Sequence, residues 1–107
     1  MRLFLAILAL CVAGAVNAKG NAGKGKEKAA AVCSACHGAD GARPSAPDQP
    51  ILAGQHYSYL VKTLSDYKSG KRANPIMKGF AATLSKQDIE DIAAWFASQW
   101  SNLHFQR

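Results

Sequence analysis

Cysteine is scarce in this sequence: 107 residues contain three, and Cys11 falls in an apolar stretch near the N-terminus. The other two, Cys33 and Cys36, are so close in sequence that a disulfide between them would add little stability. A small domain usually needs several disulfides or a metal to compensate for its small core. The sequence therefore excludes a disulfide-stabilised scaffold and favours a domain completed by a bound prosthetic group.

The chain also lacks an apolar run long enough to cross a membrane comfortably. Its one apolar stretch, residues 3–16, follows Arg2 and precedes the small residue Ala18. A basic start, an apolar centre and a small residue before the cut are typical of a secretory signal peptide. We therefore expect residues 1–18 to be removed after Ala18, and residues 19–107 to form one periplasmic domain without a membrane span.

Two alternatives to a cleaved signal peptide stay open. Apolar length alone does not force cleavage, so the stretch could remain as an anchor. Cys11 could instead carry a lipid, although lipid attachment needs a small residue just before the cysteine and Leu10 occupies that place.

Acidic residues are few: 7 Asp and Glu stand against 13 Lys and Arg, which gives a formal net charge of +6. A basic balance suits nucleic acid, an anionic membrane surface or an acidic protein. Export argues against nucleic acid, so we expect redox-protein partners with acidic docking surfaces. Five basic residues form a candidate rim that either steers such partners or only solubilises the chain: Lys62, Lys68, Lys71, Arg72 and Lys78.

No segment alternates polar and apolar residues over any length, so the sequence predicts an all-α domain. Strong helix formers predict a first helix over residues 22–35. Apolar residues at three- and four-residue spacing predict a second helix over residues 55–68, with Gly70 at its C-terminal cap. Between these helices, residues 37–50 carry the glycines and prolines of a long loop.

The C-terminal third of the chain is predicted to contain a loop and a last helix. Pro75 and Gly79 punctuate residues 71–83 and predict a loop there. Ser85 caps the last helix, and Asp88 complements its positive N-terminal end. The predicted buried stripe of this helix consists of Ile89, Ile92, Ala93, Phe96 and Trp100.

The segment Cys33-Ser34-Ala35-Cys36-His37 carries the chemistry. In Cys-x-x-Cys-His the two thiols add to the vinyl groups of a porphyrin, and the adjacent histidine becomes the proximal ligand of the iron. A dithiol oxidoreductase also uses Cys-x-x-Cys, but it expects a strand before the motif. A zinc site would need a further ligand pair, whereas His56 and His104 are isolated.

The sixth iron ligand is predicted to be Met77, the only methionine left after signal cleavage. A thioether ligand raises the reduction potential of the iron. The alternative for Met77 is a core residue that fills a gap. His56 is the competing ligand, but its place at the start of the second helix favours an exposed helix-end histidine, and His104 is given no role.

These residues resemble the short bacterial class I c-type cytochromes, including the single domains that occur doubled in two-haem members. The resemblance covers nearly all of residues 19–107, and Cys33-Ser34-Ala35-Cys36-His37-Gly38 is its most specific part. The supporting segments are Pro50-Ile51-Leu52-Ala53-Gly54-Gln55, Asn74-Pro75-Ile76-Met77, Leu84-Ser85 and Asp91-Ile92-Ala93-Ala94-Trp95-Phe96-Ala97-Ser98.

The resemblance implies a class I cytochrome c fold with three to four helices around one covalent haem c. It implies that the first and last helices cross, with Trp95 packed on Ala29 or Ala30. It also implies that the carbonyl of Pro50 accepts a hydrogen bond from the free ring nitrogen of His37, which orients that ligand.

The expected function is single-electron transfer between a donor and an acceptor protein, with the iron cycling between ferrous and ferric states and no substrate transformed. One alternative is a haem enzyme or gas sensor in which Met77 leaves the iron accessible. Another is a haem subunit of a larger oxidoreductase, so the chain is expected as a monomer or as a subunit. Residues 43–49, with their extra prolines, depart from the family pattern and could alter what covers the haem edge, so the resemblance leaves the choice of partner open.

Overall fold

The computed structural model describes residues 20–101, which form five helices and no strand. The helices are α1 (Ala22–Val32), α2 (Ser34–His37), α3 (Tyr57–Ser69), α4 (Pro75–Ala82) and α5 (Lys86–Ala97). The all-α prediction is confirmed. The predicted signal peptide, its cleavage point after Ala18, Cys11 and His104 lie outside the described residues. Between residues 20 and 101, every helix is too short or too polar to cross a bilayer.

The predicted first helix is two helices in the structure. Helix α1 ends at Val32, where Cys33 takes a φ of −114° and donates its backbone N–H to the carbonyl of Ala29. The four-residue helix α2 then carries the second cysteine and the histidine of the motif, and it ends at Gly38, whose φ is +88°. This break reorients the chain within the motif.

The prediction of a loop over residues 71–83 is wrong, because helix α4 occupies most of it. Asn74 caps this helix: its side-chain oxygen accepts hydrogen bonds from the backbone N–H groups of Ile76 and Met77. Pro75 stands at the first helical position, where its fixed φ and missing N–H are compatible with a helix. Gly79 lies inside α4 and costs it only about 1 kcal/mol relative to alanine.

The core lies where α1 crosses α5. Ala29 of α1 is fully buried with Ile92 and Phe96 of α5, and Trp95 packs against this cluster. Ala30 is exposed, so Ala29 is the residue under the aromatic helix. The prediction that Trp100 is buried is wrong: it is 70% exposed, because α5 ends at Ala97 and the helical spacing does not continue to it.

The long loop after α2 is anchored to α5. The indole N–H of Trp95 donates to the carbonyl of Ala39 at 3.1 Å, and the N–H of Gly54 donates to the carbonyl of Phe96 at 2.9 Å. The arm of residues 43–49 is closed on itself through the side chain of Gln49, which accepts from Ser45 Oγ and the N–H of Ala46. These bonds fix one wall of the cavity described next.

Candidate haem-binding site

One cavity of about 530 Å³ brings together every site residue predicted from the sequence. Its walls come from the ends of α1 and α2, from the loop around residues 48–55, and from α3, α4 and α5. The predicted residues on this cavity are Cys33, Cys36, His37, Pro50 and Met77. His56, the competing ligand, is exposed, lies just before α3 and is not part of the cavity wall.

Both cysteines of the motif are half-buried. Burial raises the pKa of the Cys33 thiol to about 11, and the neighbouring Cys36 adds to the effect. A dithiol oxidoreductase relies on a cysteine whose pKa is lowered, so that the thiolate is available near neutral pH. Cys33 has the opposite character, which disfavours that alternative and leaves both cysteines as donors of a covalent link.

His37 is buried and has one ring nitrogen already engaged. Its Nδ1 lies 2.9 Å from the carbonyl oxygen of Pro50. A carbonyl only accepts hydrogen bonds, so Nδ1 carries a proton, and in the neutral imidazole the lone pair is then on Nε2. The imidazole is therefore in the tautomer that a metal ligand needs, and its orientation is fixed through the partner of the other nitrogen.

Met77 lies in the first turns of α4 and is half-buried on the cavity wall. Its backbone N–H donates to the side chain of Asn74 at 3.1 Å. The cap at Asn74 therefore fixes the first turn of α4, which carries the Met77 thioether. The sequence predicts Met77 on a loop, whereas the structure places it in a capped helix, which restrains its position more than a loop would.

The cavity is suited to a large apolar group. Four large hydrophobic residues that are otherwise exposed lie on its wall: Ile51, Tyr59, Ile76 and Phe80. A planar macrocycle seated there would cover them, and removal of apolar surface from water is favourable. Two thiols, an imidazole with a free Nε2 and a thioether share the same space, which is the donor set of a covalently attached haem. The residues present therefore fit a haem.

Sequence reasoning missed part of the polar wall. Arg72 was predicted only as a member of the basic rim, yet it lines the cavity together with Tyr59 and Tyr67. Two other members of that rim are engaged elsewhere: Lys62 pairs with Asp66 at 2.5 Å, and the ammonium group of Lys68 donates to the carbonyl of Leu84. No local signal places Arg72 at the cavity, since its position depends on how α3 and α4 pack.

The fold and the site together define a c-type haem domain, and comparison with known proteins agrees. Residues 22–100 match the family described as Cytochrome c. Cytochrome c4 of Pseudomonas aeruginosa is 53% identical over 93 residues, which are 87% of this chain and 45% of the relative. The chain belongs to the cytochrome c family and is a bacterial class I c-type cytochrome, as the motifs indicated. Membership implies a covalently bound haem c.

Two further comparisons concern the fold and the length. The crystal structure of reduced cytochrome c4 from Pseudomonas stutzeri matches with a TM-score of 0.69 and 46% identity, over 76% of this chain and 46% of that one. Cytochrome c-554(548) of Halomonas halodenitrificans is 41% identical and is covered over 98% of its length. The chain thus spans about half the length of the cytochrome c4 relatives and nearly the full length of the Halomonas relative.

Proposed function

We propose that this protein is a single-electron carrier with one haem c, attached through Cys33 and Cys36 and ligated at the iron by His37 and Met77. The observation that carries the proposal is the presence of these four side chains on the wall of one cavity. The family match supports the haem, and the similarity to cytochromes c4 supports electron transfer.

A haem in this cavity supplies an iron that gains or loses one electron. The chain contributes the surroundings. Cys33 and Cys36 fix the position of the ring, and the carbonyl of Pro50 holds His37 in one orientation at 2.9 Å. The cap at Asn74 holds the helix that presents Met77. If His37 and Met77 both bind the iron, a haem held here would offer oxygen no open ligand position, and side chains held by Pro50 and by the Asn74 cap would limit the rearrangement that accompanies electron transfer.

The setting we propose is the periplasm, after removal of residues 1–18. The partners are a donor and an acceptor protein with acidic docking surfaces, because the chain is strongly basic. Opposite charge accelerates the encounter of such proteins and leaves the complex short-lived at physiological salt.

Absorption spectra of the exported protein, oxidised and reduced, test the proposal. We expect a c-type haem that stays with the polypeptide after denaturation, and a weak far-red band from methionine bound to ferric iron. Met77→Ala should abolish that band, lower the potential and admit cyanide or carbon monoxide. Ile76→Ala, which shortens the neighbouring side chain on the same wall, should keep the band.

Each result separates one part of the proposal from the others. A wild-type protein without covalent haem would overturn the function as a whole. Covalent haem with a high-spin ferric spectrum and rapid carbon monoxide binding would favour the haem enzyme or gas sensor. A normal spectrum together with stable co-purification of a larger oxidoreductase would favour a permanent subunit.

A further inference from the structure

Two side chains of opposite charge lie on different sides of the cavity. In the part of the chain that the structure describes, Asp48 is the only acidic residue on the cavity wall and Arg72 is the only basic lysine or arginine. Asp48 stands just before Pro50, whose carbonyl holds His37. Arg72 belongs to the segment that leads into α4, the helix of Met77. A negative charge therefore flanks the histidine side of the cavity, and a positive charge flanks the methionine side.

Two exposed lysines add to the positive charge on the methionine side. Lys71 neighbours Arg72 in sequence, and the ammonium nitrogen of Lys78 would lie 3.3 Å from a Cβ placed on Gly70. The three cations are thus close together at the entrance to α4. We call Lys71, Arg72 and Lys78 the α4 margin. Opposite charge attracts an acidic protein surface to such a cluster.

The arm that carries Asp48 is held against the haem attachment motif. The N–H of Ser45 donates to the carbonyl of Cys36 at 2.9 Å. A Cβ at Gly38 would lie only 2.8 Å from the carbonyl oxygen of Arg43, so the arm begins directly against the end of α2. The backbone that carries Asp48 therefore has a fixed place beside the motif, and its charge stays on one side of the cavity.

Neighbouring charges do not cancel this asymmetry. Arg43 is exposed on the arm, but it is not part of the cavity wall, and the ion pairs within residues 20–101 do not join it to Asp48. Beside the α4 margin, the carbonyl of Asp66 accepts from the N–H of Arg72 at 3.1 Å, and its carboxylate is paired with Lys62 at 2.5 Å. The exposed edge of the cavity is therefore negative on the arm and positive on the α4 margin.

We propose that this edge is a two-sided docking surface: Asp48 keeps acidic groups away from the arm, so that a redox protein with an acidic docking face binds along the α4 margin. The proposal rests on the proposed electron-carrier function and adds the orientation of the partner. The whole chain is basic, so attraction alone would let an acidic face approach from several directions. A repulsive charge on one side removes some of these orientations and increases specificity. Asp48 is then a specificity-determining residue.

The test is an NMR titration of the isotopically labelled, reduced holoprotein with an acidic flavodoxin as the probe, at low ionic strength. For the wild type, we expect the largest shifts of backbone amide signals over residues 71–80 and small shifts over residues 43–49. Asp48→Lys should extend the shifts to the arm and tighten binding about threefold, because the repulsive charge is replaced by an attractive one.

Two further variants separate the position of the charge from its amount. Glu27→Lys makes the same change of net charge on the exposed face of α1, off the cavity wall. It should keep the wild-type pattern of shifts. Arg43→Gln removes the positive charge of the arm and should also keep that pattern, since the arm does not attract the partner.

Wild-type shifts centred on the arm would overturn the docking surface, and so would equal shift patterns for Asp48→Lys and Glu27→Lys. Loss of the shifts over residues 71–80 in Arg43→Gln would show that the arm attracts the partner, contrary to the proposal. Failure of a haem-containing wild type to bind the flavodoxin would overturn it as well.

Covalent haem content and helicity are measured first for every variant. Absence of haem from the wild type contradicts the proposed function, whereas a haem-containing wild type that binds the flavodoxin through the arm contradicts only the docking surface. If Asp48→Lys fails to bind haem, Asp48→Asn replaces it in the test. This variant only removes the charge, so a smaller extension of the shifts to the arm is expected.

Discussion

Gly25 of α1 lies directly against the backbone of Asp91 in α5. A Cβ at Gly25 would be 1.8 Å from the carbonyl oxygen of Asp91, a distance that no side chain tolerates. The two helices therefore meet backbone to backbone at this point. The same region is tied by the carboxylate of Asp91, which accepts from the N–H of Asn21 at 2.7 Å and from Gln87 Nε2 at 2.8 Å. Helix α1 leads into Cys33, so this contact helps to position the proposed haem attachment site.

Gly25→Ala should destabilise the protein strongly. The methyl group forces α1 away from α5, and overpacking of this kind costs about 3 kcal/mol. This loss greatly exceeds the gain of up to about 1 kcal/mol that alanine gives in a helix interior. Denaturant unfolding of the holoprotein measures the difference.

The matched control is Gly79→Ala in α4. A Cβ there meets nothing within 4 Å, so the substitution should be neutral or stabilise by up to about 1 kcal/mol. Equal stability for Gly25→Ala and wild type would show that the helices can separate without loss, contrary to the close contact.

Asn74→Ala should loosen Met77. The side chain of Asn74 accepts hydrogen bonds from the N–H groups of Ile76 and Met77 at 3.1 Å each. Loss of a cap costs about 1 kcal/mol, and here it falls on the turn that presents the proposed iron ligand. The expected result is tighter binding of imidazole or cyanide to the ferric protein, by about fivefold, which a spectrophotometric titration measures.

A conservative replacement separates capping from a general loss of stability. Asn74→Asp retains a cap and should bind these ligands nearly as weakly as wild type. Gly25→Ala, which destabilises the fold at a distance from α4, shows how much general instability contributes. If all three variants gain affinity equally, Asn74 has no specific role in holding Met77.

Features that depend on residues close together in the sequence, such as helix caps, were predicted from the sequence. Ser85 and Asp88 form the expected cap: Ser85 Oγ accepts from the N–H of Asp88, and the Asp88 carboxylate accepts from the N–H of Ser85. Helix α4 was missed because Pro75 and Gly79 suggest a loop, whereas Asn74 makes Pro75 a helix start. Whether a proline or glycine begins a helix or lies in a loop depends on the capping residue before it, and the presence of proline and glycine alone does not predict this.

Long-range placement was predictable only where a whole motif carried it. The contact between His37 and Pro50 was expected from the family resemblance, and the structure has the two atoms 2.9 Å apart. The place of Arg72 on the cavity wall and the role of Gly25 at the helix crossing were not expected. Both depend on the packing of helices distant in sequence, for which a single chain offers no local signal.

The cap at Ser85 predicts a pH-dependent contribution to stability. The hydrogen bond from the backbone N–H of Ser85 lowers the pKa of Asp88, with smaller contributions from the Ser85 side chain and the charges of Lys28 and Lys68. Because the folded-state pKa lies below the unfolded one, the stabilisation is present above about pH 4 and is lost as the pH falls through the folded-state pKa.

Asp88→Asn should therefore lower the free energy of unfolding by about 0.5–1 kcal/mol at pH 7 and by much less near pH 2. Urea unfolding at a series of pH values measures the difference. Glu27→Gln, an exposed charge change on α1, is the control and should show a smaller pH-dependent difference. A constant deficit of Asp88→Asn at all pH values would mean that the charge of Asp88 contributes nothing.

Charge reversal near the cavity should alter the rate of electron exchange with charged reagents. Lys78 is exposed, and its ammonium group comes close to Gly70, beside Lys71 and Arg72. Lys78→Glu should slow oxidation by the anion hexacyanoferrate about threefold at low ionic strength and speed oxidation by a cationic cobalt complex. Added salt should bring wild type and variant together, because the Debye length falls to about 10 Å at 0.1 M. The control is Lys24→Glu, the same charge reversal near the start of α1 and off the cavity wall. It should change these oxidation rates less than Lys78→Glu does. Equal rate changes in the two variants would mean that only the net charge matters and that the basic rim has no local role.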